Sequence, residues 1–351
     1  MNAPDHSAIR LTQFAHGGGC GCKIAPAVLQ DFLSGVPASL VPPDLLVGTE
    51  TSDDAAVYRL NDHQAIVATT DFFTPIVDDP HDFGAIAATN ALSDIYAMGA
   101  TPLFALALVG MPVDKLPGGA IRAILAGGSE VCRRAGIPIA GGHTIDSAEP
   151  IYGLAAIGVV DPARLKRNGG ARPGDLLVLG KPLGIGLYSA AIKRDRLAED
   201  GYRDMIACTT QLNTPGVALG GLPGVHALTD VTGFGLLGHL LEMCQASELA
   251  ARVDFGAVPK LPLAAAFARD GSVTGASGRN WASYGHSVTL APAIARSERD
   301  LLTDPQTSGG LLVACAAEER SEVLEIFERE GFAEARVIGR FDRGVPGIHV
   351  S

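Results

Sequence analysis

Between Asp161 and Gly174 the sequence reads DPARLKRNGGARPG, four basic residues leading into a Gly-Gly-x-x-Pro-Gly turn, and on both sides of it short apolar runs alternate with helical segments. That arrangement restricts the chain to two mixed strand-and-helix units joined by a polar connector, for which 351 residues are enough. Ahead of the connector, AAVYRL and QAIVATTD flank Asn61 and Asp62 as a hairpin. A helix over 83–98, a strand over 103–108, a helix over 118–135 and strands over 137–140 and 151–160 follow. Beyond it, LLVLGKPLGIG reads as a strand turning into a helix. Two further helices, HALTD and ARVDF as strands around the helix FGLLGHLLEMC, and a closing β-α-β-β pattern complete the second unit. One theme recurs, an apolar strand ending in Thr-Asp, at Thr70-Asp71, Thr229-Asp230 and Thr303-Asp304.

Acidic residues outnumber basic ones 38 to 27, a net charge of -11, which argues against a surface built to neutralise nucleic-acid phosphates. Met1 to Phe14 lacks an apolar export segment, and the longest uncharged, mostly apolar run, Pro102 to Val113, is far short of a span of about 20 residues. These features predict a cytoplasmic protein without a membrane segment. Six cysteines are too few and too scattered for a disulfide framework, and Cys132, Cys208, Cys244 and Cys315 fall in helix or strand segments as packed thiols.

Three groups of residues can carry chemistry. The first is HGGGCGCK, residues 16–23. Its glycines allow positive φ and a swinging backbone for Cys20, and Lys23 favours the thiolate by proximity of charge. Cys-Gly-Cys lacks zinc-ligand spacing. The second group is acidic: Asp53 and Asp54 before a strand, Asp71 and Asp230 at strand ends, and Asp94 in the middle of a helix that is otherwise uncharged from Gly84 to Pro102. A carboxylate in so apolar a stretch needs a partner such as a metal ion. Third are glycine-rich turns whose backbone N–H groups could hold anions: AGGHT at 140–144, Gly184 to Gly186, VTGFG at 231–235 and PQTSGG at 305–310. Neither a P-loop nor a dinucleotide-binding Gly-x-Gly-x-x-Gly is present.

HGGGCGCK, VGTETSDDAAVY, TTDFF, ATNALSDIYAMG, AGGHTID, KPLGIG, LTDVTGFGLLGHL, RNWASYGH and DPQTSGG occur in that order from about residue 10 to the C-terminus, and with them the chain resembles the selenophosphate synthetases. The resemblance implies an α/β (α+β) two-domain fold of the aminoimidazole ribonucleotide synthetase-like superfamily. Its parts would be an N-terminal arm over 1–48, mobile and glycine-rich, an ATP- and magnesium-binding dimerisation domain over 49–161 and a C-terminal α+β domain over 162–351. In this reading the N-terminal domains of two copies pair into a shared β-barrel.

The reaction implied takes ATP, selenide and water to selenophosphate, AMP and orthophosphate, with several Mg²⁺ ions and K⁺ or a similar monovalent cation. By the same resemblance Cys20 and Lys23 are catalytic, and Asp54, Asp94 and Asp230 are metal ligands. Lys23, Thr51, Ser52, Asp53, Asp71 and Asp94 contact ATP, and Gly142, His143 and Thr144 reach the nucleotide held mainly by the other subunit. The expected partners are ATP, selenide, a second copy of the chain and a selenium-delivery protein. Two alternatives stand beside this reading: another ATP-using enzyme of the superfamily, such as a purine-pathway cyclo-ligase or a thiamine-phosphate kinase, and a non-catalytic thiol-based carrier of selenium or metal.

Overall fold

The computed structural model describes residues 10–15, 17–24, 28, 32, 41–48 and 53–351. The short helix expected over 26–33 lies largely outside them, as do Thr51 and Ser52.

Among the described residues two sheets form, one on each side of the connector. In the first, β1 (Leu45–Val47), β2 (Ala56–Asn61), β3 (Gln64–Phe73), β4 (Thr101–Met111), β5 (Ile139–Asp146) and β6 (Ile151–Val160) stand in the order β1-β2-β3-β6-β4-β5. Only β4 and β5 run parallel among these pairs. Their crossover carries α2 (Gly118–Arg134), as parallel neighbours require, and α1 (Pro80–Ala97) lies between β3 and β4 in sequence. Within one chain this sheet is open among the described residues, with β1 and β5 as its edges and no closed barrel.

The second sheet is built from β7 (Leu176–Leu179), β8 (Val225–Asp230), β9 (Ala250–Val253), β10 (Val288–Leu290), β11 (Leu311–Cys315), β12 (Arg336–Asp342) and β13 (Gly347–Val350), ordered β10-β13-β9-β12-β7-β11-β8. Its helices are α3 (Ile185–Lys193), α4 (Glu199–Thr209), α5 (Pro215–Gly220), α6 (Gly235–Ser247), α7 (Ala264–Arg269), α8 (Gly275–Tyr284), α9 (Arg296–Leu302) and α10 (Arg320–Arg329).

The element that places the site is α1. Asp79 caps its first turn, accepting from the Asp82 N–H at 2.9 Å, and Pro80 stands where a missing N–H costs nothing. Nearly every side chain from Phe83 to Ala97 is buried, so the helix is covered on all sides rather than along one stripe. It packs on β3, β6 and α2 and also touches β8, α4 and α5 of the second half.

Two glycines let α1 meet α2 backbone to backbone. A Cβ at Gly84 would run into the Ile124 carbonyl, and one at Gly127 into the His81 carbonyl. Gly84→Ala is expected to force the helices apart and cost about 1–3 kcal/mol, read as a lower urea midpoint. Gly118→Ala at the exposed start of α2, where a Cβ finds only the Arg122 guanidinium at 3.7 Å, should leave the midpoint unchanged or raise it.

Two sequence expectations are corrected here and one is met. AGGHT is not a turn: residues 140–144 continue β5, whose hydrogen-bond ladder with β4 runs on to Asp146. Asp71 lies inside β3, and Thr303-Asp304 follows the helix α9, so of the three Thr-Asp pairs only Thr229-Asp230 closes a strand. Cys132, Cys208, Cys244 and Cys315 are buried free thiols.

Candidate active site

Where α1 meets β8, three carboxylates from distant parts of the chain converge. Asp54 arrives just ahead of β2, Asp94 from the last turn of α1, and Asp230 from the last position of β8; each offers an oxygen within 4.8 Å of the others. Hydroxyls fix their orientation. Thr229 Oγ1 donates to Asp54 Oδ1 at 3.0 Å, Thr69 Oγ1 to Asp94 Oδ2 at 2.5 Å, and Ser93 Oγ to Asp230 Oδ2, while Asn213 Nδ2 donates to Ser93 Oγ at 2.7 Å.

Burial, and then the mutual repulsion of the carboxylates, pushes Asp54 and Asp94 well above the usual carboxylate range; burial raises Asp230 as well. Ionised oxygens within 4.8 Å repel by at least about 3 kcal/mol per pair at an effective dielectric near 20. Three pairs rival the folding margin of a whole domain, about 5–15 kcal/mol. The cluster therefore requires protons or a cation. A hard divalent ion fits the donors, which are all carboxylate oxygens, and Asp54 Oδ2 is buried without a hydrogen-bond partner among the described residues.

Beside this cluster lies the Cys-Gly-Cys segment, wound into a 3-10 turn over Gly19–Cys22. Gly19 has φ +55°, and a Cβ there would strike Thr307 Oγ1 and Ile76. Cys20 is 1% exposed; its N–H donates to Thr307 Oγ1 at 3.1 Å and its Sγ to Asn90 Oδ1 at 3.2 Å. Asn90 Oδ1 also accepts from the Ser308 N–H at 2.7 Å, and Asn90 Nδ2 donates to Asp71 Oδ2 at 2.8 Å. Lys23 Nζ reaches the same Asp71 oxygen at 3.0 Å. One hydrogen-bonded chain thus runs from Cys20 through Asn90 to Asp71 and Lys23.

Lys23 favours the Cys20 thiolate as expected, but its pull is outweighed. Burial first, and then the Asp71 charge, push the thiol well above its ordinary value against the pull of Lys23, whose ammonium is spent on Asp71. Burial works against the Lys23 charge too, but Asp71, the Cys20 sulfur and Asp94 outweigh it and hold Lys23 protonated.

The turn at Gly184 to Gly186 is also corrected as an anion cradle. The Gly184 and Ile185 N–H groups both donate to Gln306 Oε1, at 3.0 and 3.1 Å, and the Leu187 N–H donates to Asp304 Oδ2 at 3.2 Å, so the start of α3 is capped from within. Lys181, 1% exposed and lowered by burial to about 8, donates to the carbonyls of Gln211 and Ser308 at 2.7 and 2.8 Å and braces the 305–310 loop.

Asp53 Oδ1 accepts from the Asn168 N–H at 2.7 Å, tying the start of β2 to the connector. Gly142, His143 and Thr144 are exposed on the edge strand β5, opposite Ala107, Leu108 and Val109 of β4. In the order β3-β6-β4-β5 they stand three strand spacings, about 14 Å, from β3 and Asp71. Within one chain they do not join the carboxylates. Asn90 was missed in the sequence, although it lies one helical turn before Asp94 in the same uncharged stretch and so shares its face.

The chain matches two family models, described as "AIR synthase related protein, N-terminal domain" over residues 52–160 and "AIR synthase related protein, C-terminal domain" over residues 172–350. A "Selenide, water dikinase" of Dechloromonas aromatica is 65% identical over 97% of this chain and 98% of the relative. One of Burkholderia pseudomallei is 64% identical over 99% of this chain and 98% of its own length. The chain belongs to the selenide, water dikinase family. Its matches to that family leave so little of the chain uncovered that the Cys-Gly-Cys segment, the carboxylate cluster and both sheets fall inside them. Outside the selenide, water dikinases, the thiamine-monophosphate kinase of Stenotrophomonas maltophilia shares the fold, with a TM-score of 0.63 at 22% identity over 88% of this chain and 92% of that one. Among the described residues no helix is long and apolar enough to cross a membrane.

Proposed function

We propose that this enzyme makes selenophosphate from ATP, selenide and water, releasing AMP and orthophosphate, at the carboxylate cluster beside Cys20. The observation that carries the reading is the meeting of Asp54, Asp94 and Asp230 within 4.8 Å, with Asp71, whose charge acts on Asp94, joined to Cys20 through Asn90.

In this reading Asp54, Asp94 and Asp230 hold magnesium, and Asp71, Lys23 and Asp53, with Thr51 and Ser52, contact the nucleotide. Bound there, magnesium neutralises charge that develops on the triphosphate and keeps the phosphates aligned. A potassium ion and more than one magnesium complete the proposed cofactors. Cys20 and Lys23 belong to a segment that closes over the phosphates and keeps water from the first transfer. Because Cys20 is buried and its thiol holds its proton, the segment has to lift for selenide to reach it; as Lys23 leaves Asp71, its charge becomes free to stabilise a thiolate or a phosphate oxygen.

The proposed division is an arm over 1–48, an ATP-binding domain over 49–161 and a C-terminal domain over 162–351. The open face of the first sheet supports a homodimer. Tyr58, Ile66 and Val159 lie in one row across it and Leu106 and Phe72 in rows further along the same face, with Phe72 51% and Tyr58 43% exposed. Two such faces closing into a barrel would bring His143 and its neighbours to the partner's nucleotide. A cytoplasmic location and a selenium-delivery protein complete the proposal.

Incubation with ATP, Mg²⁺, K⁺ and selenide without oxygen, followed by phosphorus NMR, tests it. A selenium-bonded phosphate with AMP and orthophosphate is expected. ADP as the only nucleotide product, or selenium retained on the protein with ATP untouched, would overturn the reading in favour of a different kinase or a carrier.

A further inference from the structure

The Cys-Gly-Cys segment has two sides. Cys20 and Lys23 turn toward Asn90 and Asp71, whereas Gly17, Gly18 and Gly21 wall a separate cavity of about 340 Å³ on the opposite side. Three cations, Lys193, Arg194 and Arg279, line that cavity, and no carboxylate does among the described residues. In a chain with a net charge of -11 this is a local reversal of sign. Two of the cations bind the segment itself: Lys193 Nζ donates to the Gly17 carbonyl at 3.3 Å and Arg279 Nη2 to the Gly21 carbonyl at 3.2 Å. Arg194 does not; it donates to the Gly271 carbonyl at 2.8 Å. Asp270, whose carboxylate feels Arg194, is itself paired with Arg196 at 2.8 Å.

The rest of the lining is apolar side chains, including Ile76, Ile185 and Pro305, with glycines and the hydroxyl residues Ser189, Thr274 and Thr307. The three cations attract an anion, and a small polarisable monoanion does not need the several directed hydrogen bonds that phosphate does. The nucleotide phosphates are in any case assigned to the carboxylate side. Hydrogen selenide is a monoanion at neutral pH and is small and polarisable. We propose that this cationic pocket is the access site for hydroselenide, which it holds against a wall of glycines one residue from Cys20. The proposal rests on the selenophosphate-forming reading above. The missing side chains at Gly18 and Gly21 keep the partition one backbone thick, so lifting the segment opens the pocket directly onto Cys20.

Arg194 gives the cleanest test because it contacts neither the segment nor the carboxylates. In anaerobic steady-state kinetics on the full chain, Arg194→Gln is expected to raise the KM for selenide about tenfold, the usual loss of one charge-assisted contact. The maximal rate and the KM for ATP should stay within about twofold, since only selenide capture is removed. Arg194→Lys should recover most of the affinity, and added chloride should raise the wild-type KM for selenide by screening. An unchanged KM for selenide in both Arg194→Gln and Arg194→Glu would overturn the pocket assignment while selenophosphate formation stands. An equal rise in both KM values would overturn it in favour of a nucleotide site. Absence of selenophosphate from the wild-type protein would instead sink the parent reading, and the pocket with it.

Discussion

Cys20→Ser is expected to lower selenophosphate formation roughly a thousandfold or more, the loss typical of removing a nucleophile. The fold should survive. A serine hydroxyl fits where the sulfur sits, can donate to Asn90 Oδ1 as the thiol does, and leaves the Cys20 N–H bond to Thr307 in place. What disappears is the soft, ionisable sulfur. Cys22→Ser, at an exposed position two residues on, should cost less than about threefold, because that sulfur is not joined to the Asn90–Asp71 chain. Phosphorus NMR on both variants beside a thermal melt makes the comparison. Full activity in both would remove the cysteines from the mechanism, and a collapsed melting temperature in Cys20→Ser would assign the sulfur a packing role.

Asp94→Asn should weaken magnesium-dependent ATP binding by tenfold or more, as loss of one charge at a metal site commonly does when its supporting contacts depend on it. The same substitution should have the opposite sign on stability without metal. In the folded chain burial, then Asp230 and Asp71, raise Asp94 far above its unfolded value of 3.8, so the folded state binds a proton that the unfolded state releases. Its contribution is present below that value and is lost as pH rises toward neutrality. In EDTA at neutral pH Asp94→Asn should therefore melt above the wild type. Added Mg²⁺ should raise the wild-type melting temperature by several degrees and the variant's by less. Equal magnesium shifts in both proteins would show that Asp94 holds no ion. The Asn side chain keeps an oxygen for Thr69 Oγ1, so the comparison isolates charge from hydrogen bonding.

The two predictions depend on one another through Asn90. It receives the Cys20 thiol and the Ser308 N–H on one atom and holds Asp71 with the other. Movement of the segment would thus be felt at Asp71, and a cation held by Asp94 would sit one helical turn from the same side chain.

Much of this was legible before any tertiary structure. The alternation of strands and helices, the connector, the buried cysteines and the odd position of Asp94 in an uncharged helix all follow from local patterns, because apolar periodicity sets which segments form and which face they bury. The ordered motifs were enough to indicate the family. Local pattern could not show that α1 would be enclosed between two sheets, which brings Asp54, Asp94 and Asp230 together from positions up to 176 residues apart along the chain. Nor could it show that Gln306 and Asp304 occupy the N–H groups of the KPLGIG turn, or that Cys20 is buried with Lys23 committed to Asp71. Residue types and their spacing are sequence properties. Desolvation, charge repulsion and the occupancy of a hydrogen-bond donor depend on which distant groups pack within a few ångströms, and only the folded chain decides that.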